Sequence, residues 1–308
     1  MQRKIAAKSP PALSGEIIAA FGRRFNVELA DNEVLECVTR GRKSELACGD
    51  RVSIQRTSAN QGVIEEAEPR TSLLYRSDAF RQKLIAANVD QVVFVLATKP
   101  SFSEELLSRC LIACEGARVN AIVVLNKADL VEEMAKTQRE LSWLSALGYP
   151  LLPLSAKQSV DPLKPYLDGK LSVLVGQSGM GKSTIINTLV PDASVRVDEF
   201  SIALDAGKHT TTNARIYRMN ATSRVIDSPG FQEFGLFHLA DNELANALPE
   251  FRPYLGNCRF QNCRHLIEPG CAILAAGKDK IRPSRLSLYQ RLATSHGEWR
   301  ATQKAQGR

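Results

Sequence analysis

The segment Gly176-Gln177-Ser178-Gly179-Met180-Gly181-Lys182-Ser183-Thr184 fits the spacing Gly-x4-Gly-Lys-Ser. It follows the apolar run Leu171–Val175 and precedes Ile185, Ile186 and Leu189, which lie on one helical face. In that setting glycines let backbone amides turn inward around phosphate groups. Lys182 is placed for the β and γ oxygens, and the Ser183 hydroxyl for magnesium.

A phosphate loop does not choose a base. Asn126-Lys127-Ala128-Asp129 follows the apolar run Ala121–Leu125, and a carboxylate at Asp129 can accept from guanine's ring N–H and exocyclic amine together. Adenine offers no such pair, and leaving either side unpaired is costly. The Asn126 amide suits the other edge of the base, and the Lys127 stem can cover the ring. Ser155-Ala156-Lys157 follows the next apolar run, where backbone N–H groups can meet the guanine carbonyl. The two motifs together point to GTP.

Downstream, Asp227-Ser228-Pro229-Gly230 ends another apolar run. Asp227 suits a magnesium role, and the Gly230 amide suits the γ-phosphate. Between the loop and this acid lies Gly207-Lys208-His209-Thr210-Thr211-Thr212, in which one hydroxyl, from Thr211 or Thr212, can complete the magnesium shell. Phe231 stands where many small GTPases carry a water-positioning glutamine, so slow intrinsic hydrolysis is expected. His209 is the candidate to position the water, with a plain exposed loop histidine as the alternative; Gln177 and Gln232 are weaker candidates.

Cys258, Cys263, His265 and Cys271 gather three thiols and an imidazole within a short stretch, with Pro269-Gly270 turning the chain between the last two. This donor set matches a closed structural zinc site with no open position for chemistry, with iron or buried reduced thiols as alternatives. Such a loop depends on its metal for order.

These motifs demand elements that position them. The 308 residues are 44% hydrophobic and 24% charged, which excludes a chain that is disordered throughout and suits two or three folded units. From Ser14 to Glu68 short alternating runs read as about five strands of a small OB-type barrel; Arg23-Arg24 and Arg40-Gly41-Arg42-Lys43 fall in its turns, where they suit RNA backbone or solvent. From Thr71 to Phe234 continuous runs at Gln91–Ala97, Ala121–Leu125, Leu151–Leu154, Leu171–Val175, Ile216–Met219 and Arg224–Ile226 read as strands buried on both faces, the mark of an α/β sheet covered by helices. Beyond Gly235 helical stretches at Asp241–Leu248 and Pro283–Ala293 flank the cysteine loop. The expected fold is therefore an α/β P-loop GTPase domain over 71–235, an N-terminal OB-type β-barrel over 1–70 and a mainly helical zinc-binding domain with a basic tail over 236–308.

Motif order sharpens this. Small GTPases run phosphate loop, switch threonine, Asp-x-x-Gly, Asn-Lys-x-Asp, Ser-Ala-Lys; here the last two come first, so the domain is circularly permuted. The second switch then leads directly into the C-terminal segment. Net charge is +7, and it concentrates there: Lys278, Lys280, Arg282, Arg285, Arg291, Arg300, Lys304 and Arg308 face only Asp279 and Glu298. The expectation is a basic arm whose position follows the nucleotide state. Of the seven cysteines, Cys37, Cys48, Cys110 and Cys114 read as buried inert thiols, while His238 and His296 read as surface residues. No apolar run approaches the ~20 residues of a membrane span, and Pro10-Pro11 and Gly15-Glu16 interrupt any signal-like start, so a cytoplasmic protein without membrane contact is expected.

The permuted order, Asn126–Asp129, Gly176–Ser183, Gly207–Thr212, Asp227–Gly230 and the Cys258–Cys271 loop make the chain similar to the ribosome small subunit-dependent GTPase A family. The resemblance implies GTP hydrolysis stimulated by the small ribosomal subunit, a part in late maturation of that subunit, contact with 16S ribosomal RNA and release of another assembly factor; separately, a monomer is expected. It also implies His209 as the switch histidine and Cys258, Cys263, His265 and Cys271 as the zinc ligands. A nucleotide-gated RNA- or protein-binding switch with little catalysis is the alternative; a permuted P-loop ATPase is argued against by Asp129.

Overall fold

The computed structural model describes residues 12–40, 45–77, 82–193, 214–228 and 236–305. Five strands, β1 (Leu13–Phe21), β2 (Arg24–Leu29), β3 (Val34–Thr39), β4 (Arg51–Arg56) and β5 (Gln61–Ala67), close in the order β1-β2-β3-β5-β4-β1. All pairings are antiparallel except β3–β5. The period-2 alternation drives this. Phe25, Val27 and Leu29 of β2 turn inward onto Ile17, Leu35, Cys37, Val52, Ile54 and Ile64, while Arg24 stays outside.

A hairpin of β6 (Leu73–Ser77) and β7 (Gln82–Ala87) follows, which the sequence reading does not foresee because its strands are short and nothing in the alternation sets them apart. It docks where the barrel has no room for a side chain. Gly49 has φ +91°, and a Cβ there would lie 2.0 Å from the Ala87 carbonyl oxygen. Arg70 reaches back with a bidentate pair to Asp50, which is fully buried.

The α/β sheet contains β8 (Gln91–Ala97), β9 (Asn120–Asn126), β10 (Leu151–Pro153), β11 (Leu171–Val175), β12 (Arg215–Arg218) and β13 (Arg224–Asp227), ordered β10-β9-β8-β11-β13-β12. All run parallel except β12. The unbroken apolar runs are explained by two cores. Val92, Phe94, Leu96, Val123, Leu125 and Val173 pack on one face with helix α1 (Glu104–Ala117), whereas Val93, Val95, Val124, Leu174 and Val225 pack on the other with Ile185 and Ile186. Short helices α2 (Val131–Glu140), α3 (Trp143–Ala146) and α4 (Lys164–Leu167) join strands, and α5 (Lys182–Leu189) follows the phosphate loop. Strand β12 also pairs with β1 at Ala19↔Arg215, so barrel and α/β sheet are continuous.

The C-terminal part has α6 (Asp241–Asn246), a 3-10 turn at Pro249–Tyr254, the cysteine loop, α7 (Ala272–Ala275) and the long α8 (Pro283–Ala305). Here the structure departs from the expected basic arm. Arg282 pairs with Glu104 (2.9 Å), Arg291 with Glu105 (2.7 Å) and Arg300 with Asp241 (3.0 Å). Arg285, 1% exposed, pairs with Glu250, and the guanidinium groups of Arg282 and Arg285 lie over the Trp143 ring. Four of the eight basic residues thus fasten α8 and the residue before it to the rest of the protein. Sequence counting hid this because the acidic partners come mostly from distant segments. His296 is also not a surface residue: it is 1% exposed against Phe237, and His238 is half-buried against Tyr75. No helix among the described residues is long and apolar enough to cross a membrane.

Candidate functional site

The phosphate loop takes its shape from glycines under steric demand. Gly176 has φ +154°, and a Cβ there would stand 2.4 Å from the Val95 carbonyl oxygen; Gly181 has φ +96°, and its Cβ would stand 2.2 Å from Asn126 Nδ2. Gly179 is also left-handed, at φ +77°. Met180 is buried in the core beside Ile185, while Ser178 is exposed. Lys182 folds back over the loop and donates to the carbonyls of Gly176 (2.8 Å) and Gln177 (3.0 Å). Burial lowers its pKa, partly opposed by the Asp227 charge. Ser183 and Thr184 are half-buried in the first turn of α5, whose N-terminal amides face the loop.

Asp227 ends β13 beside β11, with Leu174 as its Cα partner. It is 4% exposed, and burial pushes its carboxyl up to about 6 although Lys182 draws it down. A buried acid whose charge is this costly is one that a cation relieves. Ser228 donates to the Leu174 carbonyl at 2.6 Å and ties the strand ends together.

On the base side Asp129 is exposed and accepts from Ser155 Oγ at 2.6 Å, a bond that is the first cause of its lowered pKa. Lys127 has φ +66° and caps the Lys99 carbonyl, and Lys157 is exposed. The Ala128 amide is fixed on Leu154 O at 3.1 Å.

Asn126 behaves differently from the sequence expectation. Its amide does not face outward to a base edge: Nδ2 donates to the Met180 carbonyl (2.9 Å) and Oδ1 accepts from the Ala156 amide (2.9 Å), with the residue 3% exposed. One side chain therefore binds the base loop, the Ser-Ala-Lys loop and the phosphate loop into a unit. Gln177, weighed as a water-positioning group, spends its Oε1 on the Ser103 amide at the α1 N-terminus (3.0 Å). Neither role is visible from motif spacing, because each depends on which loop lies opposite. His209, Thr211, Thr212, Gly230, Phe231 and Gln232 lie outside the described residues.

The second cluster is the cysteine loop. The ligand atoms of Cys258, Cys263, His265 and Cys271 all lie within 4.8 Å of one another. Cys258 Sγ is 3.5 Å from His265 Nδ1 and 3.9 Å from Cys271 Sγ, and His265 Nδ1 is 3.4 Å from Cys271 Sγ. Zinc bonds of ~2.3 Å to sulfur and ~2.1 Å to nitrogen give tetrahedral edges of roughly 3.6–3.8 Å. Cys258, His265 and Cys271 thus stand near the edge lengths of a zinc tetrahedron, Cys263 Sγ lies within 4.8 Å of each of them, and the cluster fits one structural zinc. The residue that sequence reasoning missed is Glu268. Its carboxylate accepts from the amides of Arg264 (3.0 Å), Leu266 (2.8 Å) and Ile267 (3.1 Å). Burial works against its charge, but these amides prevail and hold it down to about 2. An acid just before Pro-Gly in such a loop is the signal that was available. The four remaining cysteines are buried, and burial pushes Cys37 up to about 11 and Cys48 to about 12.

Comparison with known proteins agrees with the nucleotide-binding cluster. The sequence profile described as RsgA GTPase matches residues 67–237. A protein of Nitrosospira multiformis named small ribosomal subunit biogenesis GTPase RsgA is 54% identical over 288 residues, covering 93% of this chain and 92% of its own. One of the same name from Burkholderia pseudomallei is 52% identical over 295 residues, covering 94% of each. The crystal structure of YjeQ from Thermotoga maritima superposes with a TM-score of 0.71 at 28% identity, covering 93% of this chain and 99% of that one. That of YloQ, described as a circularly permuted GTPase, gives 0.67 at 26%, covering 96% and 98%. On the permuted motif order, the sheet that carries it and these matches, the chain belongs to the RsgA GTPase family and is a GTP-hydrolysing enzyme.

Proposed function

We propose that this chain binds the small ribosomal subunit and its 16S RNA, assists late maturation of the subunit, and hydrolyses GTP slowly until the subunit stimulates it. It acts as a cytoplasmic monomer, with release of another assembly factor as the output. The units that do this are the barrel over 1–70, the GTPase domain over 71–235 and the zinc domain over 236–308.

In this reading GTP lies across the three loops that Asn126 joins, the observation that carries the proposal. Asp129 takes the guanine N–H groups, and the Ser155-Ala156-Lys157 backbone the guanine carbonyl. The Gly176–Gly181 amides take the phosphates, and Lys182 exchanges its two carbonyl partners for phosphate oxygens. Magnesium would be held by Ser183 and Asp227 with Thr211 or Thr212, and when bound it neutralises charge developing on the phosphates. Gly230 adds an amide at the γ-phosphate and His209 orients the water. The zinc held by Cys258, Cys263, His265 and Cys271 takes no part in the reaction; it fixes the shape of the loop.

The test is GTP turnover with and without purified small subunits at two salt concentrations. Turnover rises with subunits at low salt, and the rise shrinks steeply at high salt as phosphate contacts weaken. Equal turnover with and without subunits at low salt sinks the proposal.

A further inference from the structure

One row of Cα partners crosses from the phosphate-loop strand into the barrel: Leu174 of β11, Asp227 of β13, Arg215 of β12, Ala19 of β1 and Asn26 of β2. The acid at the phosphate end of the sheet is therefore two strands from the barrel. The strand between them, β12, is paired along its four residues with β13 but meets β1 at a single Cα pair, so backbone pairing alone ties it weakly to the barrel. Side chains and one carbonyl complete the attachment. The Ala214 carbonyl, two residues beyond Thr212 in the sequence, accepts from the Ala20 amide (3.3 Å) and the Cys48 thiol (3.1 Å). At the other end of the β12–β13 hairpin, Arg218 pairs with Glu28 and Arg224 with Glu16, and both carboxylates are largely shielded, at 14% and 19% exposure.

We infer that the barrel governs the magnesium end of the nucleotide site, with Glu16 and Glu28 as positioning residues that set the tilt of the β12–β13 hairpin. The inference rests on the reading above, in which Asp227 and Ser183 hold magnesium. The geometry is that of a lever. Arg224 is clamped to the barrel at one end of β13, and Asp227 lies three residues on, about 10 Å away at the rise of a strand. A change in how β1 and β2 sit is thereby carried to the carboxylate without passing through the base or phosphate loops. By linkage the effect is reciprocal: whatever loads the barrel alters magnesium binding, and magnesium alters the barrel. Glu16 and Glu28 sit on the barrel strands and pair with Arg224 and Arg218, and in this inference they act through those two arginines.

The experiment uses the full, zinc-loaded chain and the Mg2+ concentration that half-maximally slows release of a fluorescent GDP analogue. Glu28→Ala and Arg218→Ala should each raise that concentration at least threefold while leaving GDP affinity in EDTA within twofold of wild type. The swap Glu28→Arg with Arg218→Glu should return it to within threefold. Should Glu28→Ala not fold, the milder Glu16→Gln serves in its place with the same expectation. Single variants that move the midpoint less than threefold, or a swap as defective as the singles, overturn the inference while leaving the GTPase reading intact. A wild-type protein whose GDP release ignores Mg2+ altogether sinks the magnesium site itself and this inference with it.

Discussion

The phosphate loop and the cysteine loop carry the two chemistries of this chain, and they are held in opposite ways. The first is shaped by the fold. Strand β11 is buried along its whole length, Gly176 and Gly181 leave no space for a Cβ, and Asn126 spans to the neighbouring loops, so the protein's own contacts set the shape of the cradle. The second is shaped by what it binds. Between the 3-10 turn ending at Tyr254 and the start of α7 at Ala272 there is no strand or helix among the described residues, and His265 sits at φ +60°. Glu268 gathers three amides of that loop, and the rest of its order falls to the four donors. Preorganisation suits a nucleotide that comes and goes, whereas an ion that stays can be part of the fold itself.

The widest separation of the two comes from removing the metal. Stripping zinc with a chelator, or replacing Cys258 by Ser, should unfold the loop around residues 256–271 and open it to proteolysis, while GDP affinity stays within about threefold of wild type. Limited proteolysis read beside a fluorescent nucleotide titration decides it; parallel loss of nucleotide binding would mean that the two regions are one folding unit. The converse break is Gly181→Ala. The new Cβ meets Asn126 Nδ2 at a backbone conformation that L-residues rarely adopt, at a cost of about 1–3 kcal/mol. Nucleotide affinity should fall roughly 10- to 100-fold with the bound zinc retained, as metal analysis of the purified variant would show.

How far each region could be read from sequence follows the same division. The phosphate loop and the four zinc donors are legible because their chemistry fixes residue type and spacing along the chain. The strands carrying them were legible because Val, Ile and Leu run unbroken where both faces are covered. The contacts of Asn126, Gln177 and the arginines from Arg282 onward are not legible for one reason: their partners, Met180 and Ala156, Ser103, and Glu104, Glu105 and Glu250, mostly lie far away in sequence. The basic excess expected in the C-terminal segment is partly neutralised by pairing, which its own composition does not reveal because those acids lie in other segments. The burial of His296 is hidden likewise, since a lone histidine between small neighbours gives no sign that α8 turns it inward.

A smaller effect sharpens the base-side half of the comparison. Asp129→Asn removes an acceptor pair and supplies an N–H, so affinity for GDP should drop about 10- to 100-fold while xanthosine diphosphate, whose base offers an oxygen where guanine has its amine, gains relative to it. Competition titrations with the two nucleotides check this, and an unchanged preference would remove Asp129 from base recognition. Because Ser155 already holds one carboxylate oxygen, the variant should keep its fold and its zinc.

The smallest effect concerns the seam that joins α8 to the chain after the second switch. His296 is buried beside Phe237, and burial, followed by the Arg300 charge, lowers its pKa from 6.5 to about 4 despite Asp241. A histidine held neutral in the folded state and free to protonate when unfolded takes stability away as the medium acidifies. Between these two values the unfolded chain binds more protons, so stability rises with pH across the window from about 4 to 6.5. Going from pH 7 to 5.5 should therefore cost about 1 kcal/mol through this residue. His238, lowered to about 4 by its own burial and by His296, adds a loss of the same sign. Denaturant unfolding of wild type and His296→Leu at the two pH values isolates the share of His296: the variant should lose about that much of the slope. Equal slopes would mean that the imidazole is already charged in the fold, with Asp241, which Arg300 also engages, as its counterion.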